Sequence, residues 1–248
     1  MDFIDLHKEN KKVILLIHPM LLTAEGMKTL MVPHMPGTYR YVIPELSGHG
    51  KSKEIFRSAE KEAEAIGRYL SEHQIDTIEL AFGVSLGGVV LLNLLNETCI
   101  QIKKCVFEGC SLMERAPLQE IFFKKLFLGK RRKAIKDRSS AVREMSGMYG
   151  DQLGEWMTDC LIGMDENSVI NIVRSCAAVR VPSLSKEEQK KCVFCYGSKD
   201  FDLQAARKTI SKKLPYAALN IWKGWGHCNK ITDSGPEYCK FLESQMEQ

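Results

Sequence analysis

No stretch of the 248-residue sequence is apolar for long enough to cross a membrane. The best candidate, Val13-Ile14-Leu15-Leu16-Ile17, is cut off by His18-Pro19, far short of the roughly 20 residues a spanning helix needs. Lys11-Lys12 ahead of it imitate a secretory leader, but Asp2, Asp5 and Glu9 spoil the positive segment such a leader requires. Stable membrane insertion is therefore not expected. No Gly-x-Gly-x-x-Gly follows the run, so a dinucleotide-binding fold has no support. No second Cys-x-x-Cys joins Cys192-x-x-Cys195 to complete a zinc site. Residues three apart in a strand also point to opposite faces. Aromatic and basic residues do not alternate, and the formal net charge is only +4. Nucleic acid is not an expected partner. Internal repeats and low-complexity linkers are lacking too.

What is present is ordinary for a soluble globular protein, with 44% hydrophobic and 27% charged residues. The length fits one large α/β domain with a full core, or two small ones. Nine cysteines are scattered along the chain, several of them inside apolar runs. An odd, dispersed set argues for a reducing cytoplasm, with thiols serving as small buried hydrophobes. The oligomeric state is not legible, and a homodimer is among the assemblies the sequence allows.

Periodicity divides the chain. Phe3-Ile4-Asp5-Leu6-His7 alternates like an edge strand, whereas residues 13–17 and 41–43 read as strands buried on both faces. Residues 24–31 look helical. Ser58 is an N-cap for a helix with Ala59, Ala63, Ile66 and Leu70 inside. Residues 75–80 read as a strand and residues 89–95 as a buried helix. Cys105-Val106-Phe107 is the next strand. Alternation then stops over residues 111–185, which read as several helices carrying a basic cluster (Lys124, Lys125, Lys130, Arg131, Arg132, Lys133). It resumes with a strand at 192–196, a helix capped by Asp202, a strand at 218–222 and a helix from about Pro236. Strands alternating with helices imply a mostly parallel sheet covered on both faces. Residues 1–110 and 186–248 are expected to form the core, with 111–185 as a helical cap.

At the joint between the fourth strand and its helix stands Gly83-Val84-Ser85-Leu86-Gly87. A serine on so sharp a turn, with glycines two residues to each side, fits the nucleophile-elbow pattern. The helix after it aims free N–H groups at any negative charge formed there. A serine hydroxyl needs a base, and the base needs an orienting group. In parallel sheets these sit at the C-terminal ends of strands. His227 follows the last strand through Lys223-Gly224-Trp225-Gly226 and is the candidate base. Asp200 follows Gly197-Ser198-Lys199 and is the candidate acid. Glu108, ending the Cys105 strand, is a rival, and Asp202 is better placed as a helix cap.

Taken with Ile17-His18-Pro19-Met20, the loop residues 44–52 and Gly197-Ser198-Lys199-Asp200, these motifs span nearly the whole chain. The sequence resembles the α/β-hydrolase superfamily, and within it the compact esterase, lipase and peroxidase-type branch with a helical lid. The resemblance implies an α/β-hydrolase fold and a lid over residues 111–185. It implies Ser85 as nucleophile, His227 as base and then acid, and Asp200 as its partner. It also implies an oxyanion hole from the N–H of Leu86 and a second from the loop after His18. Pro19 has no N–H, so that donor is expected to be Met20. His18, Phe122, Met145 and Met148 are the expected substrate-binding residues. Many apolar lid residues are expected simply to join lid to core, and the basic cluster to be a solvated face. The expected activity is hydrolysis of a small-molecule carboxylic ester of small to medium acyl chain, without metal or cofactor. Thioesterases, carbon–carbon bond hydrolases and cofactor-free peroxidases share the triad, and a low-turnover receptor is the rival outside enzymes.

Overall fold

Strand β2 (Val13–Ile17) shows how the layers arise. Its side chains alternate, so Val13, Leu15 and Ile17 enter one half of the core while Ile14 and Leu16 enter the other. A strand apolar at every position can only lie inside a sheet covered on both faces. The computed structural model describes residues 1–96 and 100–247. In chain order, β1 (Asp2–Leu6) precedes β2, followed by α1 (Ala24–Met31), β3 (Arg40–Glu45), α2 (Ala59–Glu72), β4 (Thr77–Val84), α3 (Leu86–Leu94) and β5 (Gln101–Glu108). Helices α4 (Pro117–Lys136), α5 (Arg138–Tyr149), α6 (Asp151–Gly163), α7 (Glu166–Ala177) and α8 (Lys186–Lys190) come next. Then come β6 (Cys192–Gly197), α9 (Leu203–Lys213), β7 (Ala218–Trp222), α10 (Asn229–Asp233) and α11 (Gly235–Met246).

The strands form one seven-stranded sheet in the order β1-β3-β2-β4-β5-β6-β7. Among the described residues only β1 runs antiparallel, pairing Asp2 with Glu45 through Leu6 with Tyr41. All other pairs are parallel. Helices α2, α3 and α9 cover one face and α1 and α11 the other. Ser58 caps α2 as expected, accepting the N–H of Lys61. Strand β4 runs past the expected residue 80 to Val84, because Phe82, Gly83 and Val84 keep pairing with β5. Cys192 and Cys195 face opposite core halves. The eight described cysteines are all free thiols.

Helices α4 to α7 fill the long gap between β5 and β6. Helix α7 is tied to the loop ahead of α2: Ser168 Oγ accepts the Phe56 N–H and Asn171 Nδ2 donates to the Phe56 carbonyl, both at 3.0 Å. No helix among the described residues is long and apolar enough to cross a membrane.

Candidate active site

The backbone of Ser85 adopts φ 49° and ψ −111°, a strained state for a residue with a side chain. Space, more than flexibility, demands glycine around it. A Cβ at Gly83 would lie 2.5 Å from the Gly87 carbonyl oxygen, and a Cβ at Gly87 would overlap the Ile17 carbonyl on β2. The Ser85 N–H donates to the Glu108 carbonyl at 2.8 Å, extending the β4–β5 ladder by one bond. Helix α3 begins at the next residue, and eight of its nine residues are buried.

Two loops bring the partners. After β6, the Ser198 and Lys199 N–H groups donate to the carbonyls of Trp222 and Trp225, each at 2.9 Å, stitching the acid loop to the loop after β7. Asp200 is thereby buried and His227 only part-covered, with side-chain exposures of 0% and 20%. His227 Nδ1 lies 3.0 and 3.1 Å from the two Asp200 oxygens, and Nε2 lies 3.1 Å from Ser85 Oγ. A carboxylate only accepts, so Nδ1 carries the proton, and in the neutral imidazole Nε2 is then free to accept from the serine hydroxyl. Burial works against the imidazolium, but the neighbouring Cys228 and Asp200 outweigh it and raise the His227 pKa well above its ordinary value. Burial also pushes the Cys228 thiol up. It is protonated at neutral pH, which leaves Asp200 as the lasting source of the shift.

Glu108, the rival acid, is buried behind this group. Its Oε2 accepts from Trp222 Nε1 at 3.0 Å and Tyr238 OH at 2.7 Å. Burial outweighs these bonds and raises its pKa to about 7. It makes no hydrogen bond to His227 among the described residues.

A cavity of about 310 Å³ opens above the serine, and Ser85, His227, Met20 and Leu86 all line it. No hydrogen bond among the described residues uses the N–H of Met20 or Leu86. Met145 and Met148 line the same space, with Phe127 and Met157. Two expected substrate contacts are corrected. His18 is wholly buried and does not line the cavity. Its Nε2 accepts the Leu46 N–H at 3.1 Å and its Nδ1 donates to the Pro19 carbonyl at 2.9 Å, so it braces the loops beneath the site. Phe122 is 60% exposed, and Phe123 lines the cavity in its place. One step along a helix turns the side chain by about 100°, enough to exchange cavity for solvent. Asp202 is a third correction: it precedes α9, but its side chain caps nothing. Phe201 was missed. Its ring stacks on His227, centroids 4.6 Å apart, and its position directly after Asp200 was the available signal.

Asp200, Asp202 and His227 hold ligand-type atoms within 4.8 Å of one another. Both ring nitrogens of His227 are already engaged, so the arrangement suits proton transfer better than a metal ion. The basic cluster on α4 is largely met by acids. Lys124 pairs with Glu120, Lys130 and Lys133 pair with Glu144, and Arg131 reaches Glu166.

No protein-family model matches the sequence, and no curated protein matches it. Solved structures do align along nearly the whole chain. An alpha/beta hydrolase family protein from Desulfitobacterium hafniense is 16% identical, with a TM-score of 0.72 over 98% of this chain and 99% of its own. An esterase from Exiguobacterium antarcticum is 15% identical, with a TM-score of 0.75 over 99% and 95%. A bromoperoxidase from Bacillus anthracis is 16% identical, with a TM-score of 0.74 over 99% and 95%.

Proposed function

Given that the chain has the α/β-hydrolase fold, we propose that it is a serine hydrolase cleaving carboxylic esters of small to medium acyl chain. The observation that carries this reading is the unbroken contact chain from Asp200 through His227 to Ser85 Oγ. His227 Nε2 takes the hydroxyl proton as Oγ attacks the ester carbonyl carbon, while Asp200 holds Nδ1–H and stabilises the imidazolium. The oxyanion accepts from the N–H groups of Leu86 and Met20, both unpartnered among the described residues. The imidazolium then gives its proton to the departing alcohol. Water, deprotonated by His227, attacks the acyl-enzyme and releases the acid and Ser85. As written, these steps need no metal or cofactor.

In this reading helices α4 to α7 act as a lid, and the apolar cavity wall they share with the sheet receives the acyl chain. The esterase among the similar structures supports the substrate class. Free, mostly buried thiols support a reducing, cytoplasmic setting. A fluorophosphonate probe labels Ser85 in the folded protein, and Ser85→Ala abolishes labelling and lowers ester turnover by at least about 10⁴-fold. Folded wild-type protein that takes no label overturns the proposal.

A further inference from the structure

One carboxylate on the cavity wall has no part in the contact chain. Asp202 is 4% exposed and lines the cavity, and its Oδ1 is buried without a hydrogen-bond partner among the described residues. The usual structural uses of such a group, a helix cap or an ion pair, are not made here among the described residues. It stands where an acid would cap α9, yet its own backbone is helical and its side chain accepts no N–H. The capping-type bond goes the other way, from the Asp202 N–H to Asp200 Oδ1 at 2.9 Å. The adjoining Ser111 hydroxyl spends its hydrogen on the Cys176 carbonyl at 2.7 Å. No lysine or arginine pairs with Asp202 among the described residues. His227 is near, but both its ring nitrogens are taken. Burial raises the Asp202 pKa to about 6, with His227 and the nearby Ser111 hydroxyl opposing and Asp200 adding to it. The group is still mainly an ionised acceptor at neutral pH. A buried, unpaired carboxylate is costly to keep. On the wall of a mostly apolar cavity, it fits a donor that arrives with the ligand.

We infer that Asp202 is a substrate-binding residue, accepting a hydrogen bond from a free hydroxyl close to the scissile bond of the ester. This rests on the serine hydrolase reading and narrows it from plain alkyl esters to hydroxy esters. The carboxyl oxygens of Asp200 and Asp202 and a His227 ring nitrogen all lie within 4.8 Å of one another. The hydroxyl must therefore stand beside the imidazole, within a few bonds of the carbonyl, with the apolar remainder against Phe127 and Met157. It belongs either to the alcohol part or to the acyl part.

Two substrate pairs separate these sources. Glyceryl monooctanoate against propyl octanoate places the hydroxyl on the alcohol side, and ethyl 3-hydroxyoctanoate against ethyl octanoate places it on the acyl side. In one pair the wild-type kcat/KM favours the hydroxy ester by at least about tenfold. Asp202→Ala brings that ratio close to one, and Asp202→Asn, which keeps an acceptor oxygen, leaves an intermediate ratio. Wild-type ratios near one in both pairs overturn the assignment whether or not the variants fold. So does a ratio that survives Asp202→Ala. Equal loss on both members of a pair, with a shifted pH profile, would make Asp202 an electrostatic partner of His227 and overturn it too. If wild type hydrolyses none of the four esters, the hydrolase reading fails by itself. Calorimetric titration with the two corresponding ether pairs then reads Asp202 separately. Tighter binding of a hydroxy ether that disappears in Asp202→Ala upholds the inference, and equal binding within both pairs ends it.

Discussion

Helices α3 and α4 border the same cavity and are built on opposite plans. Eight of the nine residues of α3 are buried, whereas α4 buries only Ala134 among its twenty. Leu118, Ile121, Phe122 and Ile135 of α4 stay exposed, while Phe123, Leu126 and Phe127 face the cavity. Around α3, backbone approaches backbone so closely that shape alone dictates the residue. Along α4, apolar side chains are shared between solvent and a hollow. Position at the sheet edge is set by burial and main-chain bonds, and in the proposed reading the helical segment supplies surface for a ligand.

The contrast is broken most strongly by paired glycine substitutions. Gly87→Ala drives a methyl into the Ile17 carbonyl, whereas a Cβ at Gly129 in α4 meets nothing within 4 Å. Gly87→Ala should cost more than about 3 kcal/mol or abolish soluble expression, and Gly129→Ala should stabilise by up to about 1 kcal/mol. Urea unfolding measures both. The next effect concerns Glu108, which belongs wholly to the sheet side. Its folded pKa of about 7 stands above the ordinary glutamate value of 4.5, so the folded protein holds a proton that the unfolded chain releases. Its contribution to stability is then full below about pH 4.5 and falls as pH rises to about 7, by on the order of 3 kcal/mol. Glu108→Gln should remove that slope. Unfolding free energies at pH 5 and pH 8 should therefore converge in the variant relative to wild type. Smallest is the difference between neighbours on α4. Phe123→Ala should raise KM for octanoyl esters several-fold, and Phe122→Ala should change it by less than about twofold.

Wherever one period held, the sequence could be read. Alternation over Val13–Ile17 and the glycines around Ser85 disclose a strand and a turn whose geometry leaves little choice. The meeting of Ser85, Asp200 and His227 was legible because parallel strands deliver their ends to one edge. The helical segment was legible only as helix. Apolar residues on α4 face two environments, so no single stripe marks the cavity, and the reading settled on Phe122 one step from Phe123. His18 misled for another reason. Its place at a strand end fits a ligand contact, but only the folded loops reveal that both ring nitrogens serve the backbone. Asp202 has the sequence context of a cap, and the Ser111 hydroxyl beside it comes from a distant part of the chain.

The loops carrying Asp200 and His227 share two main-chain bonds, and the Ser85 N–H is held by the strand beside its own. Asp200, His227 and Ser85 are thus sewn along a single hem whose main-chain bonds involve neither α4 nor α5. In the proposed reading, the roof can be recut for a longer, shorter or more polar guest while the needlework beneath keeps its stitch length.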